Sequence, residues 1–95
     1  MSFLSRFRRQ REDESARIIR LLKTGRIAEG TILDITTGAR GMTVGVFYNY
    51  ELAGVQYESA HELSLEQQSR LNDYLPGSHI MVRYDPRQPV NSIVV

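Results

Sequence analysis

The side chains best suited to acid–base or metal chemistry are two histidines, His61 and His79. Neither sits in a metal-ligating spacing such as H-x-x-x-H, and the chain has no G-x-S-x-G motif and no Gly-rich phosphate loop. There is no cysteine, which removes thiolate nucleophiles, disulfides and cysteine-based zinc sites and fits a reducing compartment. Both histidines fall near the ends of predicted strands, where solvated or edge positions are the ordinary reading. The expectation is a protein that is not an enzyme, with no catalytic residue, no metal site and no cofactor. A deep pocket lining either histidine with convergent carboxylates would reverse it.

Three other groups of residues could meet a partner. Glu58 and Glu62 alternate along one predicted strand, and Glu51 lies across its hairpin. Together they make an acidic patch or, more simply, the solvated outer face of an antiparallel barrel. Tyr48, Tyr50 and Tyr57 invite comparison with base-stacking platforms. They share the parity of neighbouring valines, however, which predicts core positions. Gly45 and Phe47 on the opposite parity are better placed for a contact patch. The strongest candidate is the N-terminus, where Arg6, Arg8, Arg9 and Arg11 interleave with Phe3, Leu4 and Phe7. Each arginine gains about 1 kcal/mol near anionic lipid headgroups, and the apolar residues could bury shallowly. A phosphate backbone or an acidic protein surface offers the same charge, and a solubilising tail is the bland alternative.

The net charge of +1 hides a division. Up to Arg26 there are eight basic and three acidic residues, a surplus of +5; the rest has four basic and eight acidic, a balance of −4. The two parts therefore suit different partners, or each other. Ninety-five residues allow one domain with a modest core. With 41% hydrophobic and 24% charged residues the composition is that of a globular chain. No apolar run approaches the roughly 18 residues that would cross a bilayer. The basic N-terminus has no continuous apolar core or cleavage site of a secretory signal, and Glu12, Asp13 and Glu14 argue against a presequence.

Hydrophobic periodicity supplies the framework. Residues 1–12 are a short basic amphipathic lead, expected to fray unless bound. Residues 13–24 read as a helix, with Asp13 or Ser15 as cap, Ile18, Ile19, Leu21 and Leu22 as apolar face and Gly25 as the C′ residue. Residues 25–95 read as a β domain. Strands are predicted at 26–36, 42–52, 55–62, 78–84 and 91–95. Met42, Val44, Val46, Tyr48, Tyr50 and Leu52 share one face of the second, with Phe47 an exception on the other. Ala53-Gly54 predicts a two-residue hairpin pairing Leu52 with Val55, Tyr50 with Tyr57 and Tyr48 with Ser59. Ser64 and Gln67 have capping-box spacing for a short helix, with Leu65, Leu71 and Leu75 toward a core and Gln67 toward water. The fold class is thus mainly β: a five-stranded OB-like small antiparallel barrel with an N-terminal helix and a short helix between strands three and four. An SH3-like barrel or small sandwich fits the element count nearly as well.

The order of motifs in this β region carries a resemblance. Leu21-Leu22-Lys23-Thr24-Gly25 and Glu29-Gly30-Thr31-Ile32 precede two tyrosine-rich strands. Tyr74-Leu75-Pro76-Gly77, Val82-Arg83-Tyr84-Asp85-Pro86 and Pro89-Val90-Asn91-Ser92 follow. Over about residues 21–95 the chain resembles the bacterial domain-of-unknown-function family 3592. Physically, Gly77 permits a sharp turn, Asp85 can bond its own backbone, Pro86 ends the strand, and Pro89 keeps the return loop out of the sheet. The resemblance implies no known catalysis and an association with transmembrane helices, which this chain lacks. Gly77, Tyr84, Asp85 and Pro86 are therefore expected to be structural. The expected role is a non-catalytic binding or scaffold domain, cytoplasmic or peripheral to the inner membrane. Its predicted partner is a protein or an anionic membrane surface, reached through Phe3, Arg6, Phe7, Arg8, Arg9 and Arg11. A nucleic-acid-binding OB-like module is the alternative.

Overall fold

The first regular element begins where a carboxylate can satisfy the open amides of a helix. In the computed structural model, which describes residues 12–95, Asp13 caps α1 (Glu14–Thr24) by accepting the Ala16 amide at 2.8 Å. Gly25 follows, but not in the left-handed conformation expected of a C′ glycine: its φ is −69°. The glycine is needed for space, since a Cβ there would lie 2.4 Å from the Leu21 carbonyl oxygen. The chain then enters β1 (Arg26–Thr37) directly.

Four further strands follow, β2 (Thr43–Leu52), β3 (Val55–Glu62), β4 (His79–Asp85) and β5 (Gln88–Val94). A single-turn helix, α2 (Leu65–Gln68), and a 3-10 turn (Leu71–Tyr74) join β3 to β4. The sheet order is β3-β2-β1-β4-β5 with every neighbouring pair antiparallel. The two end strands therefore run in the same direction, and the sheet curls until they approach each other. This is the strand order of an OB-type barrel, nearly closed, with the connecting helix in the expected place.

Alternation on β2 holds. Val46, Tyr48 and Tyr50 are buried, Phe47 is exposed, and the hairpin has the predicted register. Ala53 and Gly54 both take positive φ, 50° and 82°, as a twist-matched two-residue turn requires. Met42 precedes the strand and is exposed. On β1 a bulge between Ile32 and Asp34 resets the parity, so that Ile32 and Ile35 both reach the core while Leu33 points out. The core gathers Ile32, Val46, Tyr48, Tyr50, Val82 and Val94 with Leu63, Tyr74 and Ile80.

Several expectations for the β3–β4 connection fail. Leu65 and Leu75 are exposed, and only Leu71 packs on the core. Gln67 and Tyr74 are the buried residues instead. A four-residue helix presents one side chain inward, and capping geometry draws that of Gln67 back under the turn. Pro89 is not outside the sheet but within β5, on a strand with one free edge where a missing amide is tolerated.

Candidate functional site

Where β3 and β5 meet, the barrel is closed by side chains. The Val95 amide donates to Met81 O, so Ile93, two residues earlier, also faces β4. The carbonyls of Ser92 and Val94 must then point to the open edge. Both are capped: Arg17 Nη1 donates to Ser92 O at 3.1 Å, and Gln67 Nε2 donates to Val94 O at 2.8 Å. From across the barrel the Tyr48 hydroxyl bonds Ser92 Oγ at 2.7 Å, and the Tyr50 hydroxyl donates to Pro89 O. Burial raises the pKa of the Tyr48 phenol, so it bonds as a neutral hydroxyl.

Gln67 is the hub of this seam. Its Oε1 accepts from the Ser64 amide and from His61 Nε2, both at 3.0 Å, completing a capping box with the Ser64 side chain. Because Oε1 can only accept, His61 carries its proton on Nε2, and Nδ1 is a buried acceptor without a hydrogen-bond partner. Burial, aided by the nearby Arg17 charge, lowers the His61 pKa and holds the ring neutral. The expectation of a solvated or edge histidine is therefore wrong for His61, which is 7% exposed; His79 is solvated, 3.4 Å from Glu29.

Helix α1 is fastened over this region. Arg17 holds Glu14 through two nitrogens, at 2.7 and 3.1 Å, and Asn91 Oδ1 at 2.7 Å. Arg20 bridges Glu12 and Asp85. Asp85 also accepts the Arg87 amide, the self-bond expected before Pro86; that bond and Arg20 keep its carboxylate below its usual pKa. Leu21 and Ile93 are buried outside the central core cluster, as a helix lying on the outer sheet face requires.

Beside the seam lies a groove of about 440 Å³. Ile18 and Leu22 of α1 line it with Leu63, Ile93 and Val95, and so does His61, which is 7% exposed with its Nε2 committed to Gln67. Glu14, Glu62 and Glu66 stand on its rim, with Arg70 paired to Glu66. Leu22 and Val95 are 48% and 39% exposed, so the apolar surface is open to a partner. Among the described residues no group of three His, Asp or Glu side chains is placed to hold a metal ion.

A model of the domain of unknown function DUF3592 matches residues 24–95. This chain belongs to that family. The DUF3592 match begins at the last residue of α1, so the barrel is its substance, and the arginines that fasten the helix precede it. No curated protein and no solved structure matches the chain.

The predicted site residues divide clearly. Phe3, Arg6, Phe7, Arg8, Arg9 and Arg11 lie outside the described residues. Gly77 takes φ 90°, donates its amide to Ile32 O and turns the chain into β4. Tyr84 stacks on Tyr50, which stacks in turn on Tyr57, with centroids 6.4 and 5.7 Å apart. Tyr48 and Tyr50 are thus core, with Tyr57 and Tyr84 partly buried against it. Glu51, Glu58 and Glu62 are exposed. Gly45 is not part of a contact patch: it is buried, and a Cβ there would meet Thr36 Oγ1 at 2.6 Å. Sequence reading missed Arg17, Gln67, Asn91 and Ser92. Arg17 did leave a trace, lying one turn before Leu21 on the helix face that becomes buried.

Proposed function

We propose that this chain is a non-catalytic binding or scaffold domain, a small barrel that carries the basic segment ahead of α1 to an anionic surface. The observation that supports it is how the buried polar side chains are used. Tyr48, Gln67 and Ser92, joined by the half-buried Arg17, close the barrel seam, and His61, 7% exposed, is bonded into the same network through Nε2. A rigid β unit so built is suited to presenting surfaces, and the charge division of the sequence favours an anionic partner for the lead. No helix among the described residues is long and apolar enough to cross a membrane. Peripheral attachment at the inner membrane's cytoplasmic face through Phe3, Arg6, Phe7, Arg8, Arg9 and Arg11 is the form this reading takes.

Sedimentation with vesicles tests it. The full chain should pellet with phosphatidylglycerol vesicles, less so as salt rises, and stay in solution with phosphatidylcholine alone. A variant with Arg6, Arg8, Arg9 and Arg11 changed to glutamine should remain soluble in both. Equal pelleting of the two proteins, or of neither, would remove the membrane reading.

The OB strand order favours a second reading, single-stranded nucleic-acid binding. It requires salt-dependent retention of an oligonucleotide. The buried tyrosines and acidic outer face of β3 weigh against it, and no retention at low salt would end it.

A further inference from the structure

We infer that the groove between α1, the end of β3, α2 and the end of β5 is the docking site for residues 1–11 of this same chain. The groove joins an apolar floor to an acidic rim. Ile18, Leu22 and Val95 offer the first, and Glu14, Glu62 and Glu66 the second against the single Arg70. Glu62 has no ion-pair partner among the described residues, whereas Glu14 and Glu66 share theirs with Arg17 and Arg70. The occupant that fits has a short apolar stripe flanked by cations and no acids. Residues 1–11 have that composition: Phe3, Leu4 and Phe7 with four arginines and no carboxylate side chain.

Chain reach agrees. Arg20 holds Glu12 against one flank of α1. Ile18 and Leu22 stand two positions either side of Arg20, roughly 200° around the helix by its 3.6-residue turn, and so face the opposite flank. To reach the groove the chain must pass round the start of α1, a crossing of about 10–12 Å, the diameter of a helix. Phe7 lies five residues before Glu12, which spans up to about 17 Å extended. Docking therefore calls for Phe3, Leu4 and Phe7 beyond the crossing and for Arg8, Arg9 and Arg11 along it, beside Glu14. The wall from Glu14 to Leu22 is about 12 Å long at the helical rise, comparable with the stretch from Phe3 to Phe7, which spans at most about 14 Å. Docked there, the apolar side chains are shielded from water, and an external anionic surface must compete with Glu62 and Glu14 for the arginines. The docking does not depend on vesicle binding and is measured without lipid.

A nitroxide on Ser5→Cys, the only cysteine in that variant, provides the test in the full chain. In the oxidised spin-labelled protein the amides of Leu63, Gln67 and Val95 should lose most of their intensity relative to the reduced label, while those of Ala53 and Gly54 at the distant hairpin keep theirs. Glu62→Lys and Leu22→Asp, both at exposed positions, should each restore the groove signals. Overturning results are unaffected groove amides, broadening that survives both substitutions, or equal broadening when labelled and isotope-enriched chains are separate molecules mixed together.

Discussion

The barrel has two differently built sides. From β3 through β2 and β1 to β4 the strands are joined by antiparallel backbone ladders, interrupted only by irregularities between β1 and β2, and the tyrosines stack across them. At the seam between β3 and β5, the edge carbonyls of β5 are instead capped by side chains from α1 and α2, Arg17 and Gln67. A backbone ladder tolerates most side-chain changes, because its donors and acceptors belong to every residue. A seam closed by side chains concentrates the same task in a few residues, and losing one leaves buried groups unsatisfied.

The largest effect is expected at Tyr48 of β2, where the packing of the ladder side meets the seam through the bond to Ser92 Oγ. Tyr48 is fully buried at the centre of the core, and Tyr48→Ala should destabilise by about 3–5 kcal/mol, measured by chemical denaturation. Gln67→Ala touches only the seam. It orphans Val94 O and removes the partner of both His61 Nε2 and the Ser64 amide, for an expected loss of about 2 kcal/mol. No change in the unfolding midpoint would mean that packing alone closes the barrel. Arg17→Met keeps much of the stem and removes the cap on Ser92 O; about 1–2 kcal/mol is expected, and less as salt rises if the Glu14 pair contributes.

The smallest effect sharpens the comparison by pH. His61 is held neutral in the fold, with its pKa below the ordinary 6.5. Between the folded and unfolded values the unfolded chain binds more protons, so this part of the stability is full above pH 6.5 and is lost as pH falls toward the folded pKa. The window lies above the titration of Glu12, Glu14 and Asp85, whose pKa values are lowered by Arg20, by Arg17 and by the Arg87 amide respectively. Denaturation midpoints of the parent should therefore decline on acidification from pH 6.5 toward 5, and those of His61→Asn should not. Parallel curves would detach His61 from the seam.

Much of the ladder side was legible in advance because its signals are local. Period-2 alternation on β2 and the Ala53-Gly54 turn together determined the hairpin register, and capping chemistry located Ser64 and Gln67. What stayed hidden was where those side chains end. A capping-box glutamine reads as a solvated surface residue, since nothing in the sequence shows that β5 brings Val94 O within reach of its amide nitrogen. His61 looked like an edge residue for a related reason: β3 is an edge strand, but the curl of the sheet and α2 cover its end. Leu65 and Leu75 misled in the opposite sense, because a helix of one turn lacks a continuous apolar face.

Taken by itself, the amino-acid sequence determined which segments are strands, which faces of them are apolar, where the chain turns and that its basic and acidic residues are segregated. Those properties follow from the chemistry of near neighbours. Only the tertiary structure decided that β3 and β5 meet without a ladder, that Arg17, Gln67 and Ser92 seal the gap, and that an apolar groove with acidic edges opens beside it. Each of these depends on residues tens of positions apart, brought together by the coiling of the sheet, and local patterning does not encode that distance.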